Sequence, residues 1–188
     1  MPKILKAADA GSGSLYYFFP TKEDLLLAVL EWYKANLWTM VINPVFERVS
    51  DPMERIFGIL DSYRQGLLAT KFMIGCPVGN LALELSNSHP VARKLIAENF
   101  SGWRNAIKHC LDEAAGRLPS GANTEQLALL VLTTMEGAVM LARTYRDIEP
   151  YDNAVTLLRD YFERLIADGT DWVRPKRKPR KGKLPAAE

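Results

Sequence analysis

Gly13-Ser14-Leu15-Tyr16-Tyr17-Phe18-Phe19-Pro20-Thr21-Lys22 is the stretch on which the reading of this 188-residue chain turns. Gly13 and Ser14 are small enough to let a backbone approach another surface closely. Leu15, Phe18 and Phe19 offer apolar anchors, with the hydroxyls of Tyr16 and Tyr17 beside them. Pro20 ends this short helix, because a residue preceding proline is pushed out of the α region. Thr21 then caps a much longer helix, and Asp24 stands at its third position as in a capping box. Lys22 falls at the mouth of that helix, where free N–H groups and the positive end of the dipole favour an anion.

Working outward, the stretch runs on as Glu23 and then Leu25-Leu26-Leu27-Ala28-Val29-Leu30. This layout resembles the DNA-binding end of the tetracycline-repressor (TetR) family of bacterial transcription regulators. There, a recognition helix reading G-S/T-L-Y-Y-x-F precedes P-S/T-K-E and a long connecting helix. Ten of the eleven positions from Gly13 to Glu23 match. The turn before it departs from the family's A-G-V-S: here it reads Ala8-Asp9-Ala10-Gly11, with Asp9 in the glycine place and Gly11 in that of the capping serine. Asp tolerates a left-handed φ, and Ser12 is an alternative cap. Upstream, Ile4-Leu5-Lys6-Ala7-Ala8 suffices for the end of one helix only. The head therefore reads as shortened, whether by a misplaced start, a truncated gene, or a protein that no longer binds DNA.

From Lys22 to about Val41, the spacing of Leu25, Leu26, Val29, Tyr33, Leu37 and Met40 predicts one long amphipathic helix, loosened at Asn43-Pro44. Asp51-Pro52 starts the next, which runs to about Ala69. Gly75, Pro77 and Gly79 then punctuate an apolar run, so a loop crosses or lines the core before a short helix ending near Glu84. The string G-C-P-x-G-N-L-A-L-E-L-S, from Gly75 to Ser86, is similar to one in a TetR subgroup resembling lincomycin-resistance and flavonoid-responsive repressors. His89-Pro90 opens a helix expected to reach about Arg117. Thr124 caps another, to about Arg146, whose only charge between Gln126 and Ala142 is Glu136. A helix apolar all round is covered on both sides. The last helix begins at Pro150 and carries a stripe from Ala154 to Ile166. The resulting expectation is an all-α, TetR-like chain: a head and connecting helix over 1–42, a ligand-binding and dimerisation body over 43–170, and a tail over 171–188.

Composition sets the remaining bounds. Hydrophobic residues make up 48% and charged residues 24%, ordinary values for a globular chain. The formal charge of +2 conceals an asymmetry: residues 172–188 carry seven Lys/Arg against one Glu, while the rest carries 17 basic and 21 acidic side chains. The tail is expected to be disordered and solvated, or to touch phosphates weakly. No secretory segment follows Met1, and the uncharged run Gln126 to Met135 falls short of the ~20 apolar residues that span a bilayer, so a cytoplasmic chain with no membrane partner is expected.

Cys76, Cys110, His89 and His109 fit no metal or redox spacing, and His109 and Cys110 are helix neighbours that do not face each other. No catalytic residue, metal or cofactor is therefore expected, and Asp112 and Glu113 read as solvated carboxylates. The resemblance implies three surfaces. Ser12, Gly13, Ser14, Tyr16, Tyr17 and Lys22 would meet duplex DNA, the tyrosines and Lys22 at phosphates and the small residues nearest the base edges. Tyr63, Met73, Cys76, Asn80, Phe100, Trp103 and Met135 are candidates to line a mostly apolar cavity for a small apolar or aromatic effector. Leu130, Thr134, Gly137, Ala138, Leu141, Leu158 and Phe162 would join the last two helices to their copies in a homodimer. Gly137 and Ala138 are small enough to let a helix come close.

Overall fold

The computed structural model describes residues 2–167, and among these every regular element is helical. The basic tail from 172 onward and the end of the expected body, 168–170, lie outside the described residues. Helices α1 (Pro2–Ala7) and α2 (Ser12–Phe18) form the head. Between them Asp9 takes a left-handed φ of 48°, as its place in the turn requires, and Gly11 occupies the N-cap of α2 without a side-chain cap. Helix α3 (Lys22–Leu37) starts with a complete capping box: the Thr21 hydroxyl accepts from the Asp24 N–H at 3.1 Å, and the Asp24 carboxylate accepts from the Thr21 N–H at 2.9 Å.

The helical run does not loosen at Asn43-Pro44. It continues through a π-helical turn, Trp38–Ile42, into α4 (Asn43–Arg48). Pro44 has no N–H to give to the preceding turn, and the Asn43 N–H instead reaches back five residues to the Trp38 carbonyl. The expected boundary at residue 42 thus falls inside unbroken helix.

The body comprises α5 (Pro52–Ala69), α6 (Pro77–Leu85), α7 (Pro90–Glu113), α8 (Thr124–Tyr145) and α9 (Glu149–Ala167). Asp51 caps α5, accepting from the N–H groups of Met53 and Glu54. Helix α7 stops at Glu113 rather than Arg117, the remainder turning as a 3₁₀ segment, Ala115–Arg117. The cap of α8 is Asn123, which accepts from the Gln126 N–H; the Thr124 hydroxyl donates to Asp112 instead. The main core joins α5, α7, α8 and α9 through Ile56, Leu60, Ile107, Leu111, Val131, Met135 and Phe162. The buried Tyr151 hydroxyl donates to the Leu60 carbonyl at 2.7 Å.

By length and composition alone, Lys22–Arg48 and Thr124–Tyr145 are each apolar enough to cross a membrane, contrary to the expectation from uncharged runs. Helix α8 spends one side of that apolar surface inside the bundle, from Leu127 to Ala142. Its opposite side leaves Leu129, Leu130, Met140 and Leu141 exposed, with Leu157 and Tyr161 of α9 also exposed.

A second, smaller cluster holds α3 to the body: Leu30, wholly buried, against Cys76, Val78, Ala92 and Ile96. Leu30 is the one fully buried side chain of α3, and burying it contributes about 1.5–3 kcal/mol. Asn99 of α7 adds a polar tie, its amide donating at 3.1 Å to the Leu30 carbonyl and at 2.9 Å to that of Leu95.

Candidate effector site and DNA-reading head

The head presents its candidate DNA contacts outward. Gly13, Ser14, Tyr16, Tyr17 and Lys22 are all exposed; the side chain of Ser12 lies outside the described residues. Gly13, Tyr16 and Tyr17 share one side of α2 by their three- and four-residue spacing. Tyr17 is 81% exposed, so it is not consumed by packing within the head. Phe18, expected as an anchor, is 70% exposed, whereas Leu15 and Phe19 are half-buried. Lys22 is the first residue of α3, beside the capped N-terminus, where a phosphate would meet both its ammonium and the helix dipole.

The candidate effector residues divide between two adjoining spaces. An apolar cavity of about 330 Å³ lies among α3, the π-turn, α5, α7 and the loop before α6. Tyr63, Cys76 and Trp103 line it, with Tyr33, Leu37, Met40 and Val41 forming the wall on the connecting-helix side. Polar residues in its lining include Ser62, Thr70 and Asn99. The rings of Tyr63 and Trp103 tilt against each other at 5.2 Å. The second space is a groove of about 440 Å³ between α6 and α8, lined by Cys76, Asn80 and Phe100. Cys76 faces both.

Two candidates line neither. Met73 is exposed on the loop, where its sulfur receives an Arg146 N–H at 3.4 Å. Met135 is wholly buried in the main core, its place on the inner face of α8 closing it off from both spaces.

The loop between the spaces is conformationally costly. Lys71 and Phe72 take successive positive φ values of 49° and 61°, a region disfavoured for a bulky side chain. The chain re-enters helix at Cys76, whose sulfur accepts from the Gly79 N–H at 3.3 Å and from the Tyr63 hydroxyl at 3.8 Å. Burial, then the neighbouring Glu136 charge, pushes the Cys76 thiol up to about 12, so it is not poised as a nucleophile. Burial likewise raises Tyr63 and Glu136, the Cys76 thiol partly offsetting the latter shift. Neither Glu136 nor Arg143 stood among the sequence candidates, though both line the groove. The signal for Glu136 was its position as the lone charge in the apolar stretch of α8.

The interface candidates also separate. Leu130 and Leu141 are exposed, Thr134 and Gly137 are partly so, and a Cβ on Gly137 would meet nothing within 4 Å. Ala138, Leu158 and Phe162 are only 4%, 5% and 1% exposed. They face inward, Phe162 edge-on to Phe57 at 6.4 Å, and have no surface to offer a partner. On α9 the outward positions are Leu157 and Tyr161. No group of three or more His, Cys, Asp and Glu suited to a metal occurs among the described residues. Asp112 is paired with Lys108, and Glu113 with Arg55 at 2.7 Å, which leaves them structural roles.

A small helical head joined by one continuous helix to a helical body with an apolar cavity is the architecture of a ligand-responsive helix–turn–helix regulator. Residues 52–158 match the tetracyclin repressor-like C-terminal domain, and residues 1–29 match the bacterial regulatory proteins of the tetR family. The chain belongs to the TetR family of transcription regulators, and its DNA-binding domain is of the helix–turn–helix type. It is 31% identical over 163 residues to an uncharacterised HTH-type transcriptional regulator of Mycobacterium tuberculosis, covering 84% of this chain and 80% of that protein. It is 26% identical over 165 residues to the HTH-type transcriptional repressor DhaR of Mycobacterium sp. strain GP1, covering 87% and 80%. Among solved structures, the regulatory protein TetR from Rhodobacter sphaeroides shares the fold with a TM-score of 0.78 at 24% identity, covering 85% of this chain and 86% of that one.

Proposed function

We propose that this chain is a dimeric cytoplasmic repressor that releases operator DNA when a small apolar or aromatic effector enters the body, with no catalytic or membrane role. The head and connecting helix over 1–42 read the operator. The body over 43–170 binds the effector and a second copy. The observation that carries this reading is the cavity wall: Tyr33, Leu37, Met40 and Val41 belong to the helical run that starts at the DNA-reading head. An occupant would therefore press directly on the element that orients α2. The exposed stripe of Leu130, Leu141, Leu157 and Tyr161 supports pairing with a second copy.

A second reading is a regulatory body that dimerises and binds effector without specific DNA contact. One observation favours it: none of the described side chains in α1 and α2 is buried, so the head has no core of its own. Duplex binding to the promoter region beside its own gene, across a salt series, tests both. The full chain is compared with a variant ending at Trp172. A specific complex that survives loss of the tail supports the repressor. Binding that vanishes with the tail, or shows no preference over random duplex, leaves only the headless regulator.

A further inference from the structure

The groove between α6 and α8 holds two buried polar atoms with no partner. One is Oε1 of Glu136; the other is Nε of Arg143, whose guanidinium donates through Nη1 to Asn80 Oδ1. Both residues line the groove, seven positions apart on α8, which is two turns or about 10 Å along the helix. Apolar surface separates them, from Phe100, Val139 and Met140. Local glycines make the arrangement possible. A Cβ on Gly79 would collide with the Glu136 carboxylate, and one on Gly75 with the Arg143 side chain. Buried polar groups are normally satisfied, and orphaned ones cost free energy until something pairs with them.

We propose that this groove binds an amphipathic small molecule that places a hydrogen-bond donor on Glu136 and an acceptor on Arg143, with an apolar body between them. The inference rests on the effector-responsive reading, but it places the molecule in the groove beside the apolar cavity and makes it two-ended rather than merely apolar. Glu136 and Arg143 would act as specificity determinants, rejecting molecules that leave either atom unpaired. Cys76 lines both spaces, so an occupant of the groove lies against the loop that walls the apolar cavity.

Isothermal titration of the full chain with three probes of one skeleton tests this: 6-hydroxy-2-naphthoate, 2-naphthol and 2-naphthoate. The two-ended probe is expected to bind about 10-fold more tightly than either of the others. Glu136→Leu should lower its affinity about 10-fold while leaving that of 2-naphthoate unchanged. Arg143→Met should weaken both carboxylates and spare 2-naphthol. Circular dichroism of each variant checks folding, and the two substitutions test opposite ends independently. Equal affinities for the three probes, no binding of any, or uniform weakening by Glu136→Leu would overturn the proposal. Gly66→Phe fills the other cavity, which Gly66 lines and where an added Cβ meets nothing within 4 Å. If it abolishes probe binding while Glu136→Leu does not, the groove is not the site and the effector reading stands. If the probes obey the expected pattern yet never release the promoter duplex, the groove stands and the effector reading fails.

Discussion

Replacing Asn99 by leucine should loosen the connecting helix without removing volume from the core. Asn99 is 3% exposed and sits in the wall of the apolar cavity. Its amide makes two hydrogen bonds: one to the Leu95 carbonyl in its own helix, the other across to Leu30 in α3. Both carbonyls lie within helices, so their loss does not leave a bare acceptor. Each bond is therefore worth the ordinary net amount, about 1 kcal/mol, and the pair about 1–2 kcal/mol. For a protein of this size that corresponds to a fall in Tm of roughly 2–8 °C. The interhelix bond also biases the position of α3. If it favours the DNA-competent arrangement fully, its loss weakens duplex binding by at most about fivefold, since ~1.4 kcal/mol is a factor of ten. Thermal melting followed by circular dichroism and a duplex titration at fixed salt measure the two effects. An Asn99→Leu protein with unchanged or raised Tm and unchanged duplex affinity would refute the argument that this amide ties α3 to α7.

Thr21→Ala removes the reciprocal Thr21–Asp24 cap and should cost about 1 kcal/mol, seen more in duplex affinity than in Tm because the cap sits at the free end of α3. Leu141→Arg should give a monomer by light scattering with the helical spectrum intact, since Leu141 is exposed on the outer side of α8. Acid sensitivity should carry two opposite signatures. Arg64 grips Asp152 at 2.7 and 2.9 Å and holds its carboxyl below the usual value, so that stability is complete above the unfolded carboxylate range and is lost as pH falls through the lower native value. Arg64→Met should flatten the acid limb of a Tm–pH curve. Burial raises the Glu136 carboxyl, so the native state holds its proton longer, and stability falls as pH rises from the unfolded to the native value. Glu136→Gln should abolish that fall, and a steeper one would contradict the assignment.

Most of the architecture was legible because it rests on local signals. Asp51-Pro52 and Thr21 with Asp24 mark helix starts whose caps form as written, and Asp9 adopts the left-handed φ that its turn demands. The misreadings arose where the neighbouring element decides. Pro44 looks like a breaker, but the chain around it accommodates the missing N–H by widening one turn. The stripe of α9 reveals that one face is buried without saying by what. Leu158 and Phe162 belong to the protomer's own core, and the surface left for a partner is the flank carrying Leu157 and Tyr161. Cavity membership was half legible for the same reason. Tyr63, Cys76 and Trp103 advertise themselves by type, whereas Leu37 and Val41 look like ordinary core until α3 is seen to lie against α7 with a gap left between them.

That gap is bounded by two irregular parts of the backbone. On one side the π-turn contributes Met40 and Val41; on the other the loop after α5, with Lys71 and Phe72 at positive φ, contributes Ile74, Gly75 and Cys76. Regular helix is stiff, and a ligand meeting only such walls would have little to displace. Here the loop wall carries strain that a different local geometry would relieve, about 1–3 kcal/mol for each residue in a sparsely populated region such as Lys71 and Phe72, while the π-turn is one widened turn in the other wall. An occupant acts on the head only through its difference in affinity between two arrangements of these walls. The anchorage it works against joins α3 to the body: Leu30 with Leu26, Leu27 and Tyr33 beside it, Leu37 on the main core, the Asn99 amide and the exposed Lys34–Glu98 pair at 2.7 Å. A connecting helix whose own residues wall the cavity can be shifted by the binding energy of a small molecule, which is the physical condition for switching by a ligand.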